Sequence, residues 1–172
     1  PIVTLALLLL AWEIGVIAAK IPPYILPAPS AVFSSLIQDG GSLYRALIVT
    51  LRICFSALAL ASLSAFALAI LFAQSRLAER AFFPLAVILQ VTPIIAIAPF
   101  LLIYLPTSDL AVIVCAAIVA FFPILANTLH GLVSVERGHL DLFRLYRASQ
   151  WQILWKLRLP TALPSIMTGL RI

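Results

Sequence analysis

The polar side chains that interrupt the long apolar runs of the sequence are few, and they are the first candidates for chemistry. They are Glu13, Arg52, Gln90 and Asn127. An ionised group at the centre of a bilayer costs at least about 2.5 kcal/mol, so it marks a transport site unless it has a partner. We favour a structural role for Glu13 beside a backbone or basic group, expect Arg52 to reach the membrane interface, and expect Asn127 to hydrogen-bond between helices. A proton relay would need several titratable groups in register, which these isolated residues do not provide.

Three prolines divide the most strongly apolar part of the chain. Pro84, Pro93 and Pro99 each remove a backbone donor and tend to kink or unwind a helix. Unwound backbone at membrane depth persists only where protein or a water-filled cavity covers it. The segment therefore predicts either the lining of a pathway or a kinked packing helix, and the two interpretations are comparable. The candidate pathway residues are Gln90, Thr92, Pro93, Pro99 and Asn127.

No catalytic or metal-binding pattern accompanies these residues. The sequence lacks the Gly-x-x-x-x-Gly-Lys-Ser/Thr loop that cradles nucleotide phosphates. His130 and His139 are nine positions apart with no further ligand at metal-binding spacing, and Cys54 and Cys115 sit in apolar runs as small packing residues. We therefore predict a protein that is not an enzyme and that has no metal, cofactor or catalytic residue of its own.

The composition defines the class of protein that must position these residues. The chain has 172 residues, of which 64% are hydrophobic and 10% are charged, and its mean hydropathy is +1.18. Residues 53–73 and 81–107 contain no charge, and each run is long enough to cross a hydrocarbon core of about 30 Å as a helix. This excludes a soluble domain, a disordered chain and a nucleic-acid-binding protein. It predicts an all-α, polytopic transmembrane helical bundle.

The uncharged runs define the predicted spans of a single transmembrane domain over residues 1–172. A short helix capped by Ser30 should end near Asp39, and a second helix should begin near Ser42 and enter the membrane. Because the sequence begins and ends within apolar segments, we expect a longer protein, truncated at both ends. The predicted spans are residues 1–19, 53–73, 81–104 and 110–130, with a further span starting near residue 160.

Basic residues predict the orientation. Linkers 74–80 and 131–159 lie on the same side of the predicted membrane and together hold seven Lys and Arg residues. Linkers 20–52 and 105–109, on the opposite side, hold three. The positive-inside rule places the more basic side in the cytoplasm.

Alanines recur every fourth residue in the second predicted span. A stripe of small residues lets another helix backbone approach closely, although alanine is also common in membrane helices generally. Both interpretations concern packing rather than chemistry. The stripe consists of Ala57, Ala61, Ala65, Ala69 and Ala73.

The longest polar segment, residues 131–159, predicts a cytoplasmic helix. Residues 136–149 mix Leu142, Phe143 and Tyr146 with Arg144 and Arg147. Such a helix can lie on the anionic inner leaflet or dock into a groove of a partner protein. The residue pattern leaves these two alternatives equal.

Several stretches resemble one family, the ABC-importer permeases of the nitrate, sulfonate and taurine type. Residues 26–32, Leu-Pro-Ala-Pro-Ser-Ala-Val, are similar to an external motif of that family, and residues 121–131 resemble its Phe-Phe-Pro-Ile-x-x-Asn-Thr-x-x-Gly run. Residues 141–160 fall where these permeases carry the cytoplasmic EAA motif, with Asp141 at the acidic position and Leu159-Pro160 closing it. Residues 162–164 and 169–172 resemble the continuation of the family pattern.

The resemblance implies a fold and a set of partners. The fold would be that of a type I ABC-importer permease (MetI-like), truncated at its C-terminus, as a multi-pass protein of the bacterial inner membrane. The implied partners are a cytosolic ATP-binding subunit that hydrolyses ATP, a periplasmic or lipid-anchored solute-binding protein, a second permease subunit in a homodimer, and membrane lipid. Nitrate, a sulfonate such as taurine, a thiamine-precursor pyrimidine and riboflavin are all open as substrates. The alternative function is a secondary transporter or membrane scaffold that works without an ATPase.

The EAA segment would be the helix that couples the permease to the ATPase. Arg147 stands where the family has a glycine, and Leu142 and Phe143 replace its alanines. If that glycine has a positive φ, a side chain at the position costs about 1 kcal/mol. The predicted coupling residues are Asp141, Leu142, Phe143, Arg144, Tyr146, Arg147, Ala148 and Ser149.

Overall fold

The computed structural model describes residues 1–171, and it is helical with no strand in that range. The predicted all-α class is therefore confirmed for the described residues. A π-helical turn, Leu154–Arg158, joins the last two helices without a break. The helices are α1 (Ile2–Ala18), α2 (Pro29–Gln38), α3 (Gly40–Gln74), α4 (Arg76–Val91), α5 (Ile94–Tyr104), α6 (Ser108–Val133), α7 (Arg137–Leu145), α8 (Gln150–Ile153) and α9 (Leu159–Arg171).

The chain divides into two compact units, Pro1–Leu51 and Arg52–Ile172. In the first unit, a carboxylate ties α1 to α2. Glu13 accepts hydrogen bonds from the backbone amide of Ser30 at 3.0 Å and from its hydroxyl at 2.6 Å. The structural role predicted for Glu13, with a backbone partner near a helix end, is thus observed.

The predicted start of α2 is also corrected. The helix begins two residues earlier than expected, at Pro29, and the extended residue Ala28 occupies the cap position predicted for Ser30. Proline suits the first helical position because its fixed φ matches a helix and its missing N–H would have no partner there. Ser30 consequently lies inside the helix, and its hydroxyl donates a hydrogen bond to the Glu13 carboxylate instead of capping the backbone.

The alanine stripe of α3 is buried in the core of the second unit. Ala57, Ala61, Ala65 and Ala69 are each no more than 3% exposed, and they belong to one apolar cluster with residues of α6 and α9. Ala73 at the end of the stripe is partly buried. This burial favours the packing interpretation of the repeat over simple alanine abundance.

The third predicted span is broken. α4 and α5 meet at an angle of 95° around Thr92 and Pro93, both of which have extended backbone. Pro93 has no N–H to offer an α-helix and disfavours helical geometry at the residue before it, so the helix ends there. Pro84 and Pro99 remain inside α4 and α5 respectively. The span predicted over residues 81–104 therefore consists of two helices, and the break lies at Pro93, one of the three prolines predicted to kink or unwind it.

The most extensive helix pair is α6 with α9, which run antiparallel. A Cβ placed on Gly131 would lie 2.9 Å from the Cβ atoms of both Ala162 and Ser165. At the other end of the pair, a Cβ on Gly169 would lie 2.9 Å from the Cβ of Asn127. The facing helix occupies the space that a side chain at either glycine position would need. The two backbones therefore approach more closely than they could with a larger residue at these positions.

Two helices of the described residues, α3 and α6, are long and apolar enough to cross a membrane, and the bent pair α4–α5 becomes a third if it is one span. α1 is a shorter apolar helix of 17 residues, so the predicted span over residues 1–19 stays a prediction. α9 begins at Leu159, close to the predicted start of the next span.

Filling the space above Gly131 should separate α6 from α9. We expect Gly131→Leu to lower the free energy of unfolding by at least about 1 kcal/mol, because overpacking forces neighbouring backbones apart. The measurement is thermal unfolding in detergent, followed by tryptophan fluorescence. Gly138→Leu in α7 is the matched control, because a Cβ there meets nothing within 4 Å. Equal melting temperatures for the two variants would contradict the close-packing role of Gly131.

Candidate functional site

The break between α4 and α5 opens a cavity of about 430 Å³. Gln90, Thr92 and Pro93 line one side, and α6 supplies Ile118 and Pro123 among the residues opposite. Three of the five residues predicted to line a pathway are thus brought together at the point where the helix is interrupted. The cavity is of a size that suits small-molecule ligands.

The polar groups of this cavity carry no net charge. The Thr92 hydroxyl donates to the Ile88 carbonyl at 2.7 Å, and the backbone amide of Thr92 donates to the same carbonyl at 3.1 Å. The side chain of Gln90 is exposed and offers an amide donor and acceptor. An uncharged cavity with a few polar groups can orient a small solute by hydrogen bonds.

Asn127 and Pro99 do not line this cavity. Asn127 donates from its side-chain amide to the Pro123 carbonyl at 2.8 Å, within its own helix. The hydrogen bond between helices expected for Asn127 is therefore not formed, because the side chain turns back along α6 where Gly169 packs against it. Pro99 is exposed on α5.

The predicted coupling segment is a short helix followed by a turn, rather than one continuous helix. α7 ends at Leu145, four residues before the predicted end at Ser149. Ser149 instead caps α8: its hydroxyl accepts from the amide of Gln152, whose side chain accepts from the amide of Ser149. This reciprocal capping box starts a new helix, α8. Of the eight predicted coupling residues, only four lie within α7.

A Schellman motif ends α7. The amide of Ala148 donates to the Phe143 carbonyl at 3.0 Å, and the amide of Arg147 donates to the Arg144 carbonyl at 2.9 Å. This motif requires a left-handed residue just beyond the helix, and Arg147 occupies that position with φ 53°. Glycine is the usual residue there because it has no Cβ to clash. The positive φ that would explain a family glycine at this position is therefore observed, with arginine adopting it.

α7 has two chemically different faces. Arg137, Leu140, Asp141 and Arg144 recur at helical spacing on one face and line a second cavity. On the other face, Leu142, Leu145 and Tyr146 are 48%, 79% and 78% exposed. Large exposed apolar side chains at helical spacing are a candidate binding surface for another protein.

The second cavity, of about 1060 Å³, lies where α3 and α6 end. Arg158 of the π-helical turn reaches into it and donates to the Ala73 carbonyl at 2.7 Å. Burial lowers the pKa of the Arg158 guanidinium from its ordinary value, and the nearby charge of Arg144 lowers it further. Sequence reasoning did not find this cluster, because its arginines come from three separate segments. The available signal was the excess of basic residues in linkers 74–80 and 131–159.

Comparison with known proteins decides the family. The family model described as "Binding-protein-dependent transport system inner membrane component" matches residues 57–172. The chain belongs to this family of transport permeases. The permease therefore has the membrane location and the MetI-like helical fold that the resemblance implied.

Individual relatives extend the comparison to the whole chain. The permease is 34% identical to a probable ABC transporter permease protein of Haemophilus influenzae and 35% identical to the formylaminopyrimidine transport permease protein of Halalkalibacterium halodurans, over 100% of its length in each case. It is 29% identical over 98% of its length to the taurine transport system permease protein of Escherichia coli. It spans 70%, 69% and 64% of these relatives, respectively.

Replacing Arg147 should show whether the left-handed residue stores strain. We expect Arg147→Gly to raise the free energy of unfolding by about 1 kcal/mol, because glycine adopts the positive φ without a Cβ clash. Arg147→Ala removes the same charge but keeps the Cβ, so it should give no such gain. The measurement is thermal unfolding in detergent. A gain of the same size from alanine would show that the arginine side chain, not the backbone, is responsible.

Proposed function

We propose that this permease forms part of the solute pathway of an ABC importer and transmits the movement of a cytosolic ATP-binding subunit to that pathway. ATP is hydrolysed by the partner subunit, and the permease supplies no catalytic group. The observation that carries the proposal is the exposed apolar face of α7 on the basic side of the chain. This face lies in the segment where the family resemblance places the coupling motif.

The coupling surface consists of α7 and the turn that follows it. The eight residues assigned from the sequence remain in the proposal, with different roles. Leu142 and Tyr146 contact the ATP-binding subunit, and Asp141 and Arg144 face the cavity behind the helix. Phe143, Arg147, Ala148 and Ser149 set the turn from α7 into α8, where the Phe143 carbonyl accepts from the amide of Ala148. Leu145, which is not one of the eight predicted coupling residues, joins the contact surface because it is 79% exposed beside Leu142.

The connection between α6 and α9 supplies the route for the movement. Ile153 and Leu154 are buried at the base of the connection, at 2% and 1% exposure, and the π-helical turn continues directly into α9. Because α9 is locked against α6 at Gly131 and Gly169, a displacement of α7 moves the pair as a rigid body. α6 in turn borders the cavity at the α4–α5 break, so the same displacement changes that cavity.

The family supports further proposals about the remaining partners and the class of solute. We infer a second copy of the permease that completes the pathway and an external solute-binding protein that selects the solute. The relatives include permeases named for formylaminopyrimidine, riboflavin and taurine transport. The uncharged cavity beside Gln90 and Thr92 fits weak hydrogen-bonded contact with a small polar solute, with selection left to the binding protein.

Charge on the exposed face of α7 should release the ATP-binding subunit. We expect the double variant Leu142→Asp/Leu145→Asp of the full-length permease to lose most co-purifying ATPase, because docking would bury two carboxylates without partners. The measurement is quantitative mass spectrometry of the tagged complex in mild detergent. Arg137→Gln, on the opposite face of α7, is the control and should retain the ATPase. Undiminished ATPase on a folded double variant would refute the coupling surface.

Filling the cavity at the helix break should block transport without disturbing assembly. We expect Thr92→Trp to reduce solute uptake at least about tenfold while the ATPase still co-purifies, because the indole occupies the space beside Gln90. Uptake is measured in vesicles with the solute-binding protein present. Leu102→Trp is the control, since Leu102 is an exposed residue of α5 that does not line the cavity. Normal uptake by the Thr92 variant would place the pathway elsewhere.

A further inference from the structure

The larger cavity combines a cationic lining with an apolar wall. Its charged lining consists of five arginines and two carboxylates, contributed by α4, α7 and the π-helical turn. The arginines are Arg76, Arg80, Arg137, Arg144 and Arg158, and the carboxylates are Glu79 and Asp141. Positive charge is therefore in excess around an open volume of about 1060 Å³.

Most of this positive charge has no carboxylate partner in the described part of the chain. Arg144 pairs with Asp141 at 3.3 Å, and the only other ion pair there joins His139 to Glu136 outside the cavity. Arg158 bonds to the Ala73 carbonyl, and its Nε atom is buried without a hydrogen-bond partner. Several guanidinium groups around one cavity thus have donors available for an anion.

The apolar wall distinguishes this cavity from a simple anion site. Phe72 and Val133, near the ends of the two membrane-spanning helices α3 and α6, line it together with Phe83 and Leu140. The lining of the cavity therefore combines charged groups with apolar side chains from the ends of two membrane spans. Anionic phospholipids have the same arrangement, with a phosphate headgroup attached to acyl chains.

We propose that this cavity binds the headgroup of an anionic phospholipid of the cytoplasmic leaflet, with its phosphate held by Arg76 and Arg80 and its first acyl carbons against Phe83 and Val133, which is 52% exposed. Guanidinium groups suit phosphate because they offer paired donors in a planar fork. Basic pockets between membrane helices on the cytoplasmic side are a recurrent site for anionic headgroups. A free anion would use the arginines but would leave the exposed apolar surface of Val133 uncovered.

This inference goes beyond the proposed function and does not depend on it. The residues of α7 that line the cavity are on the opposite face from Leu142, Leu145 and Tyr146, which are proposed to meet the ATPase. A segment of the ATP-binding subunit docked on that exposed face would leave the cavity open. The lipid site and the coupling surface can therefore be tested by different variants with different readouts.

The test uses the full permease assembled with its ATP-binding subunits and depleted of lipid in detergent. Native mass spectrometry measures binding of dioleoylphosphatidylglycerol, dioleoylphosphatidylcholine and glycerol 3-phosphate. The first two share acyl chains and differ in net charge, and the third is an anionic headgroup without chains. The test variant is Arg76→Gln/Arg80→Gln. The control, Lys156→Gln/Arg171→Gln, removes the same charge at exposed residues outside the cavity.

We expect the test variant to bind phosphatidylglycerol at least about tenfold more weakly than the native protein, since two interfacial charges are lost. The control variant should bind it normally, and Arg76→Lys/Arg80→Lys should retain part of the affinity if the native fold is intact. Equal phosphatidylglycerol binding by test and control variants would overturn the proposal. So would native binding of phosphatidylcholine as tight as that of phosphatidylglycerol.

Two other outcomes would assign the cavity to a different ligand and also overturn the proposal. If glycerol 3-phosphate competes with phosphatidylglycerol at equal concentration, the site recognises a soluble anion. If the test variant releases the ATP-binding subunit while its lipid binding is unchanged, the cavity is a protein-binding site. Loss of the ATPase from the Leu142→Asp/Leu145→Asp variant with normal lipid binding would support the coupling proposal and leave the lipid proposal intact.

Discussion

The close approach of α6 and α9 at two glycines is the constraint on which the rest of the second unit depends. Gly131 and Gly169 each face a neighbouring helix at a distance that leaves no space for a Cβ. The two helices are consecutive long elements of the chain, so the segment between them, residues 134–158, is anchored at both ends by the same pair. The packed pair of α6 and α9 therefore fixes both ends of the segment that contains α7 and α8.

The two cavities acquire their chemistry from the places where helices stop. Pro93 ends α4 and leaves a small uncharged cavity bordered by α6. At the other end of α4, Arg76 and Arg80 meet the arginines of α7 and the π-helical turn around a larger cationic cavity. In both cases, the end of a helix brings polar groups next to an open cavity. There they can form hydrogen bonds or ion pairs with a ligand. The polar chemistry of this apolar protein is concentrated at its helix ends.

The sequence predicted the elements well and their ends poorly. The length of the uncharged runs identified α3 and α6, because a helix of that length can cross the membrane. The prolines identified the interruption near Thr92, because each proline lacks the backbone N–H that a continuous helix needs at that position. The early end of α7 depended on the Schellman hydrogen bonds around Arg147, a residue type that does not usually mark a helix terminus. The cationic cavity is lined by residues more than 50 positions apart in the sequence, such as Arg80 and Arg137, and no local pattern specifies that they share one cavity.

The contact between α7 and the ATP-binding subunit is the step on which the proposed transport mechanism depends. A photo-crosslinking residue at Leu142 in the full-length permease tests this contact directly in membranes, and the same residue at Leu110, near the start of α6, is the control. We expect an adduct with the combined mass of the permease and the ATP-binding subunit from position 142 and none from position 110. An adduct from position 110, or its absence from position 142 in a transporter that is otherwise active, would contradict it.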